Sequence, residues 1–378
     1  MQNAFALALA LGALIAARAT AVAAPSPAPS PSPPPAVQMS GVYSIVAFRS
    51  SGANAGGALD TPTGADLTER ADIGNVLLNL TANDAKFSGA ATIGGYAFPT
   101  IGAALNPTFQ NGANTSLYGA LPLIDLAYAP NEHLSFMAGK LSSMLGQESA
   151  FTYQNVNIER GIGWELEPTI TRGARFTYAN GAWSAAIEDD DGFYSGHYGT
   201  LSWMLAYAPS AASSLSFAAV EPPIGAPPNV TSSIANKSEY DLMYSRQFGK
   251  WNLQPYLLFV RSPAAASLGY SANERASVAA LLGSYAMTPR FSLGFRYENA
   301  RDASAVNALG ANADLLGFGP GSAAQSLTLT PAYHLGTLFV RAEIARVELS
   351  GFTPGLGFGN SGSADTQTRI GLELGVQP

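Results

Sequence analysis

Apolar and polar residues alternate one by one through much of this chain. Phe291, Leu293, Phe295 and Tyr297 take one side of a segment whose other side holds Ser292, Gly294, Arg296 and Glu298. Period two is the mark of a β-strand with one oily and one wet face. The run before it, Val278 to Tyr285, ends on a tyrosine just ahead of Thr288-Pro289, so the two segments predict a tight hairpin. The same alternation predicts strands at 37–49, 71–82, 86–98, 117–129, 133–142, 164–179, 182–189 and 198–208. It continues at 213–221, 238–248, 250–261, 275–287, 290–300, 325–335, 337–349 and 366–377, which makes sixteen.

The links between these strands are of two kinds. Brief turns at Asn83-Asp84, Pro130 to Glu132, Asn180-Gly181, Pro209 to Ala212, Gly249, Thr288-Pro289 and Gly336 alternate with long loops, seven against eight. An up-and-down antiparallel barrel in an outer membrane has this organisation: an even strand number, short periplasmic turns and longer external loops. The expected fold is therefore all-β, a transmembrane barrel of about sixteen strands over residues 37–378. Tyr128, Tyr178, Tyr207, Tyr285 and Tyr333 each stand just before a short turn, where a membrane interface favours an apolar ring with a wet hydroxyl.

Lipid then assigns the faces, because backbone groups in hydrocarbon must pair and the sheet must close. Leu201, Trp203, Leu205 and Tyr207 look outward, as do Tyr240, Leu242 and Tyr244, and Ile370, Leu372, Leu374 and Val376. Arg296, Glu298, Arg341, Glu343, Arg369 and Glu373 look inward. Two groups strain the pattern. Pro122, Pro168, Pro255 and Pro331 fall within expected strands, where each should mark a bulge or a strand end. Arg172 and Arg346 fall on the outward side, which calls for a register switch or a place near the interface.

Composition agrees with a membrane wall. Only 12% of the 378 residues are charged, about half the usual globular share, and 39 glycines accompany 16 tyrosines. A net charge of −7 leaves no basic stripe for nucleic acid. The absence of cysteine removes disulfides, thiolate metal sites and cysteine nucleophiles. At the amino end, Ala4 to Ala17 is apolar but shorter than the roughly 20 residues a spanning helix needs. Ala21-Val22-Ala23 follows as a small-x-small cleavage pattern, so residues 1–24 are expected to be a signal peptide that directs export through the periplasm. Residues 25–36 hold PSPAPSPSPPP, expected to be an extended, disordered leader.

The segment from Gly139 to Gly181 carries Gly139-Lys140 at a strand end and Gly146 and Glu148 in the loop. Asn155, Arg160, Pro168 and Gly173 follow, with Asn180-Gly181 at the next turn. In this order it resembles the beta-barrel porins of bacterial outer membranes. The resemblance implies passive permeation of solutes through the barrel and no catalytic residues. One departure is the ending Val376-Gln377-Pro378, where such barrels commonly finish on an aromatic residue.

Candidate chemistry follows from lumen size, since a barrel of about sixteen strands is wide enough to hold water. The third long loop, Ser142 to Gly163, is the candidate constriction and carries Glu148, Glu159 and Arg160. Facing it, Arg175, Arg296, Arg341 and Arg369, with Glu298 and Glu343, complete the candidate pore lining; rings of charge select ions by sign. The alternative is that this loop caps the barrel outside. The expected function is a water-filled channel for ions or small hydrophilic solutes, and the rival is a plugged barrel that acts in adhesion or structure through its external loops. Outer-membrane lipid and the solute are the expected partners, with a homo-trimer by analogy to general porins. No cofactor or metal is expected. Asp189-Asp190-Asp191-Gly192 lacks the spacing of a calcium loop. His133, His197 and His334 occur singly, and Ser195 near His197 and Asp191 offers no argued nucleophile with a positioned base.

Overall fold

In the computed structural model of the chain, the structure describes residues 37–52, 68–105, 108–110, 113–114, 118–222, 237–264, 272–304 and 314–377. The expected signal peptide and leader lie outside the described residues. Alternating sequence becomes strand: β1 (Gln38–Ser50), β2 (Glu69–Asn83) and β3 (Phe87–Tyr96) open the chain. A small two-stranded ribbon follows, β4 (Phe109–Gln110) with β5 (Ala113–Asn114). Next come β6 (Leu123–Tyr128), β7 (Leu134–Ser142), β8 (Ile170–Asn180), β9 (Trp183–Asp190), β10 (Thr200–Ser210), β11 (Ser213–Glu221) and β12 (Ser238–Phe248). The last are β13 (Trp251–Ser262), β14 (Glu274–Ala286), β15 (Phe291–Asp302), β16 (Ala323–Leu335), β17 (Leu338–Ser350) and β18 (Thr366–Val376).

Leaving out the ribbon, each strand pairs antiparallel with its neighbours in sequence and β1 closes on β18, giving a barrel of sixteen strands. Closure leaves no edge whose amides would face lipid unpaired. All seven short turns lie at one end, and Gln38 and Val376 lie there too.

The faces divide as the alternation requires. Along β17, exposed Val340, Ala342 and Ile344 alternate with buried Arg341, Glu343 and Ala345. On β18, exposed Ile370, Leu372 and Leu374 alternate with buried Arg369, Gly371 and Glu373. Pairing of Leu372 with Ala47 and Ala342 sets it at mid-height on the outer wall. Leu372→Arg is therefore expected to cost about 2–4 kcal/mol of barrel stability. Urea unfolding in lipid checks this, against Ser184→Ala on the half-exposed inner face as the control.

Several boundaries and local expectations change. The strand expected at 117–129 is only Leu123–Tyr128, and that expected at 164–179 begins at Ile170, after a 3-10 turn at Gly163–Leu166. Pro122 and Pro168 thus mark strand ends. Pro255 and Pro331 lie inside β13 and β16 with no bulge: the register there is constant, and only the ladder next to each ring, which has no amide to donate, is interrupted. The register does shift between Ser44 and Ile45, where Gly74 is the extra residue of β2. Arg172 and Arg346 need no register switch. Both sit near the long-loop end of the outer face, Arg346 paired with Glu348 at 2.7 Å and Arg172 with Asp191 at 2.6 Å.

Candidate functional site: a tongue clamped across the lumen

Residues 143–169, the third long loop, fold into the barrel as a two-legged tongue. The legs start together, with the Ser143 amide donating to the Thr169 carbonyl at 3.1 Å. Gly146, at φ +81°, lies so close to the Glu167 carboxylate that any Cβ there would overlap it. Farther out, the Gly161 amide donates to Glu148 at 2.6 Å, and the Arg160 guanidinium donates to the Ser149 and Ala150 carbonyls. The legs therefore satisfy much of each other's backbone, which an irregular segment inside a barrel must do.

From β7 and β8 the tongue crosses to the opposite wall and runs along it. The Gly146 amide donates to Asp241 on β12 at 2.7 Å. The amides of Ile162 and Gly163 clasp Glu298 on β15 at 3.0 and 3.1 Å. The amides of Ile158 and Glu159 clasp Glu343 on β17 at 2.6 and 3.0 Å. Thr152, near the tip, donates to Glu373 on β18 at 2.9 Å and accepts from Asn75 on β2.

Arginines of the wall complete the clamp. Arg296 reaches Glu148 at 2.7 Å and the Glu159 carbonyl at 2.6 Å, beside Glu298 at 3.3 Å. Arg341 pairs with Glu373 and donates to the Asn155 and Thr152 carbonyls at 2.8 and 2.9 Å. Arg369 pairs with Glu159 at 2.5 Å and donates to Thr100 and Ala103 in the loop between β3 and β6. That second loop lies against the tongue, bridged at Thr100 and Arg160, with the Arg160 guanidinium 5.3 Å from the centroids of both Phe98 and Trp164. Burial lowers the Arg160 pKa to about 9, against the pull of Glu148, so the group stays charged at neutral pH.

All nine charges read from the sequence as pore lining lie inside the barrel, and most are sealed from solvent. Glu148, Glu159, Arg160, Arg296, Glu298, Arg341, Glu343 and Arg369 are each at most 5% exposed at the side chain or residue level. Arg175 keeps 14% of its side chain exposed, with Glu188 at 2.6 Å. Above the clamp, inward apolar residues such as Leu258, Val260, Val278 and Val347 pack with Leu145, Ile162 and Leu166 of the tongue, and with Phe318 and Phe358 of later loops. That packing was signalled in the run Tyr256-Leu257-Leu258-Phe259-Val260, apolar on both faces, a pattern of strands buried on both sides.

The opposite arc is left open toward the short turns, while nearer the long loops its inward Glu188, Asp190, Ser202, Ala218 and Val220 are buried. Ser88, Ala127, Met137, Thr177, Ser184, Ala206 and Ser216 point inward from β3 to β11 and stay half-exposed.

On the outer face, the five girdle tyrosines lie at the short-turn end, with Tyr128, Tyr178, Tyr207 and Tyr333 exposed. Sequence reasoning missed their partners just after the turns. Trp183 lies 4.6 Å from Tyr207 and Trp251 4.6 Å from Tyr285 between ring centroids, with Phe87 4.9 Å from Tyr128.

The other motifs go elsewhere. Ser195 Oγ donates to the Asp191 carbonyl at 2.8 Å and accepts from the His197 amide at 3.1 Å, while Arg172 holds the Asp191 carboxylate. Asp189 and Asp190 accept instead from the Gly199 and Gly192 amides. Among the described residues no acidic or histidine cluster has metal-holding geometry. The glycine-rich stretch around Gly355 to Gly359 is a tight external loop closed by bonds to Gly362 and Ala364.

A closed sixteen-strand barrel with a lipid-compatible outer face defines the porin class of outer-membrane protein. The chain belongs to the family described as putative beta-barrel porin-2, OmpL-like, whose model matches residues 36–377. In solved structures the fold is similar to the anion-selective porin from Comamonas acidovorans, at 12% identity over 91% of this chain and 100% of that one, with a TM-score of 0.61. It is also similar to the outer membrane channel DcaP of Acinetobacter baumannii, at 11% identity over 91% and 98% of the chains, TM-score 0.59. OmpT of Vibrio cholerae, described in a trimer form, matches at 9% identity over 92% and 100%, TM-score 0.56. No curated protein sequence matches the chain. Family and fold place the protein in the outer membrane.

Proposed function

We propose that the protein is a passive diffusion channel for small hydrophilic solutes, narrowed by the tongue to a passage along the wall from β3 to β11. The observation that carries this is the unequal inner face in the half toward the short turns: covered where the tongue lies, half-exposed from β3 to β11. In this function Arg175 lines the passage. Glu148, Glu159, Arg160, Arg296, Glu298, Arg341, Glu343 and Arg369 set its width by fixing the tongue. The tyrosine girdle seats the barrel at the membrane interface, and residues 1–24 direct export through the periplasm. For a homo-trimer, support comes from an apolar hollow of about 640 Å³ whose outward-facing lining includes Phe87, Gly89, Leu126, Phe136, Ala138 and Ala174. It is a lipid-facing patch of small and large residues that a second copy can fill.

Conductance of the purified protein in a planar bilayer is the test. Discrete ohmic steps are expected. Silence from protein shown by its gel shift to be folded and inserted would overturn the channel and favour the plugged barrel.

A further inference from the structure

We propose that the passage is close to electrically neutral and admits small uncharged hydrophilic solutes with little preference between anions and cations, a specificity that rests on the channel proposed above. Ions are sorted by charges that face them across little dielectric shielding, and selectivity falls when such charges are paired or withdrawn. Both have happened here. The wall charges Arg296, Arg341, Arg369, Glu298, Glu343 and Glu373 are buried beneath the tongue, three of each sign, and each bonds a tongue group or an opposite charge.

The half-exposed arc has a different chemistry. Ser88, Thr177, Ser184 and Ser216 carry hydroxyls that can each donate and accept, suited to a neutral polyol or amide. Among the described residues whose side chains face inward and stay half-exposed on the barrel strands below the tongue, only Asp125 and Arg175 are ionised. They stand two strands apart with opposite signs, and with Glu188 at 2.6 Å from Arg175 the three leave a single net negative charge. Lys86, Lys250 and Arg290 are exposed on the turns at the rim, where bulk water and salt screen them.

The experiment pairs current with flux. Under a potassium chloride gradient the reversal potential is expected near zero, a cation-to-anion permeability ratio within about threefold of one. Liposomes are expected to swell in glucose and in potassium glucuronate at rates within about threefold of each other. A larger preference in either assay would overturn the neutral passage while leaving the channel standing. Absence of both current and swelling would bring down the channel itself. Ser216→Lys places one unpaired charge on the open arc and is expected to turn the pore clearly anion-preferring. Glu348→Gln, on the outer face away from the passage, is expected to leave the potential where it was. An unmoved potential in Ser216→Lys would route the current away from this arc and overturn the proposal.

Discussion

Arg296→Ala is expected to loosen the tongue and cost about 3–5 kcal/mol, the usual penalty for removing one partner of a buried ion pair. Arg296 is fully buried and touches Glu148, Glu298, the Glu159 carbonyl and Thr328. Its removal leaves two carboxylates facing each other without their cation. The barrel ladder on either side is untouched, so the loss should fall on the tongue. Three readouts follow: earlier protease cleavage between Ser142 and Ile170, a noisier and larger single-channel current, and an unchanged gel shift for the folded barrel. The double variant Arg296→Met with Glu148→Gln should recover part of the loss, because it removes the uncompensated charge together with its partner. A quiet current of unchanged size in Arg296→Ala would show that the guanidinium holds nothing.

The wall of this protein could be read from its sequence because a strand's information is local. A shift of one residue exchanges the faces of a whole strand. The outward assignment of Leu201 to Tyr207 and the inward assignment of Arg369 and Glu373 were therefore fixed by their immediate neighbours, and the structure has both. The tight turns were equally local, since Asn180-Gly181 and Gly249 can adopt positive φ cheaply, 58° at Gly181 and 56° at Gly249.

What fills the lumen was harder to read, because it depends on residues far apart in the chain. Arg369 meets Glu159 across 210 positions, and nothing near either residue announces the other. An inward arginine wetted by a channel and one covered by a loop look alike in a strand with period two. The difference lay in a signal of another kind, the apolar residues on the inward side of β13, which had to meet something other than water. Pro255 and Pro331 misled for a related reason. Each occupies a place where the ladder can lose one bond without changing register, a tolerance set by the neighbouring strands.

Excising the tongue should have the larger effect on current. Its legs begin side by side, Ser143 bonded to Thr169 and Gly146 against Glu167, so residues 147–166 can be replaced by a short glycine-serine link without stretching β7 or β8. The barrel should still close, because its ladder uses no residue of the tongue. Single-channel conductance is expected to rise severalfold as the covered half of the lumen fills with water. At that point Arg296, Arg341, Arg369 and their three glutamates become a wetted wall. Charge reversal at Arg296 should then shift the reversal potential strongly in the excised protein, whereas with the tongue in place the same substitution acts mainly by loosening it. Equal shifts in the two backgrounds would mean that ions already reach Arg296 in the intact channel, and the tongue would be no barrier between that charge and the current.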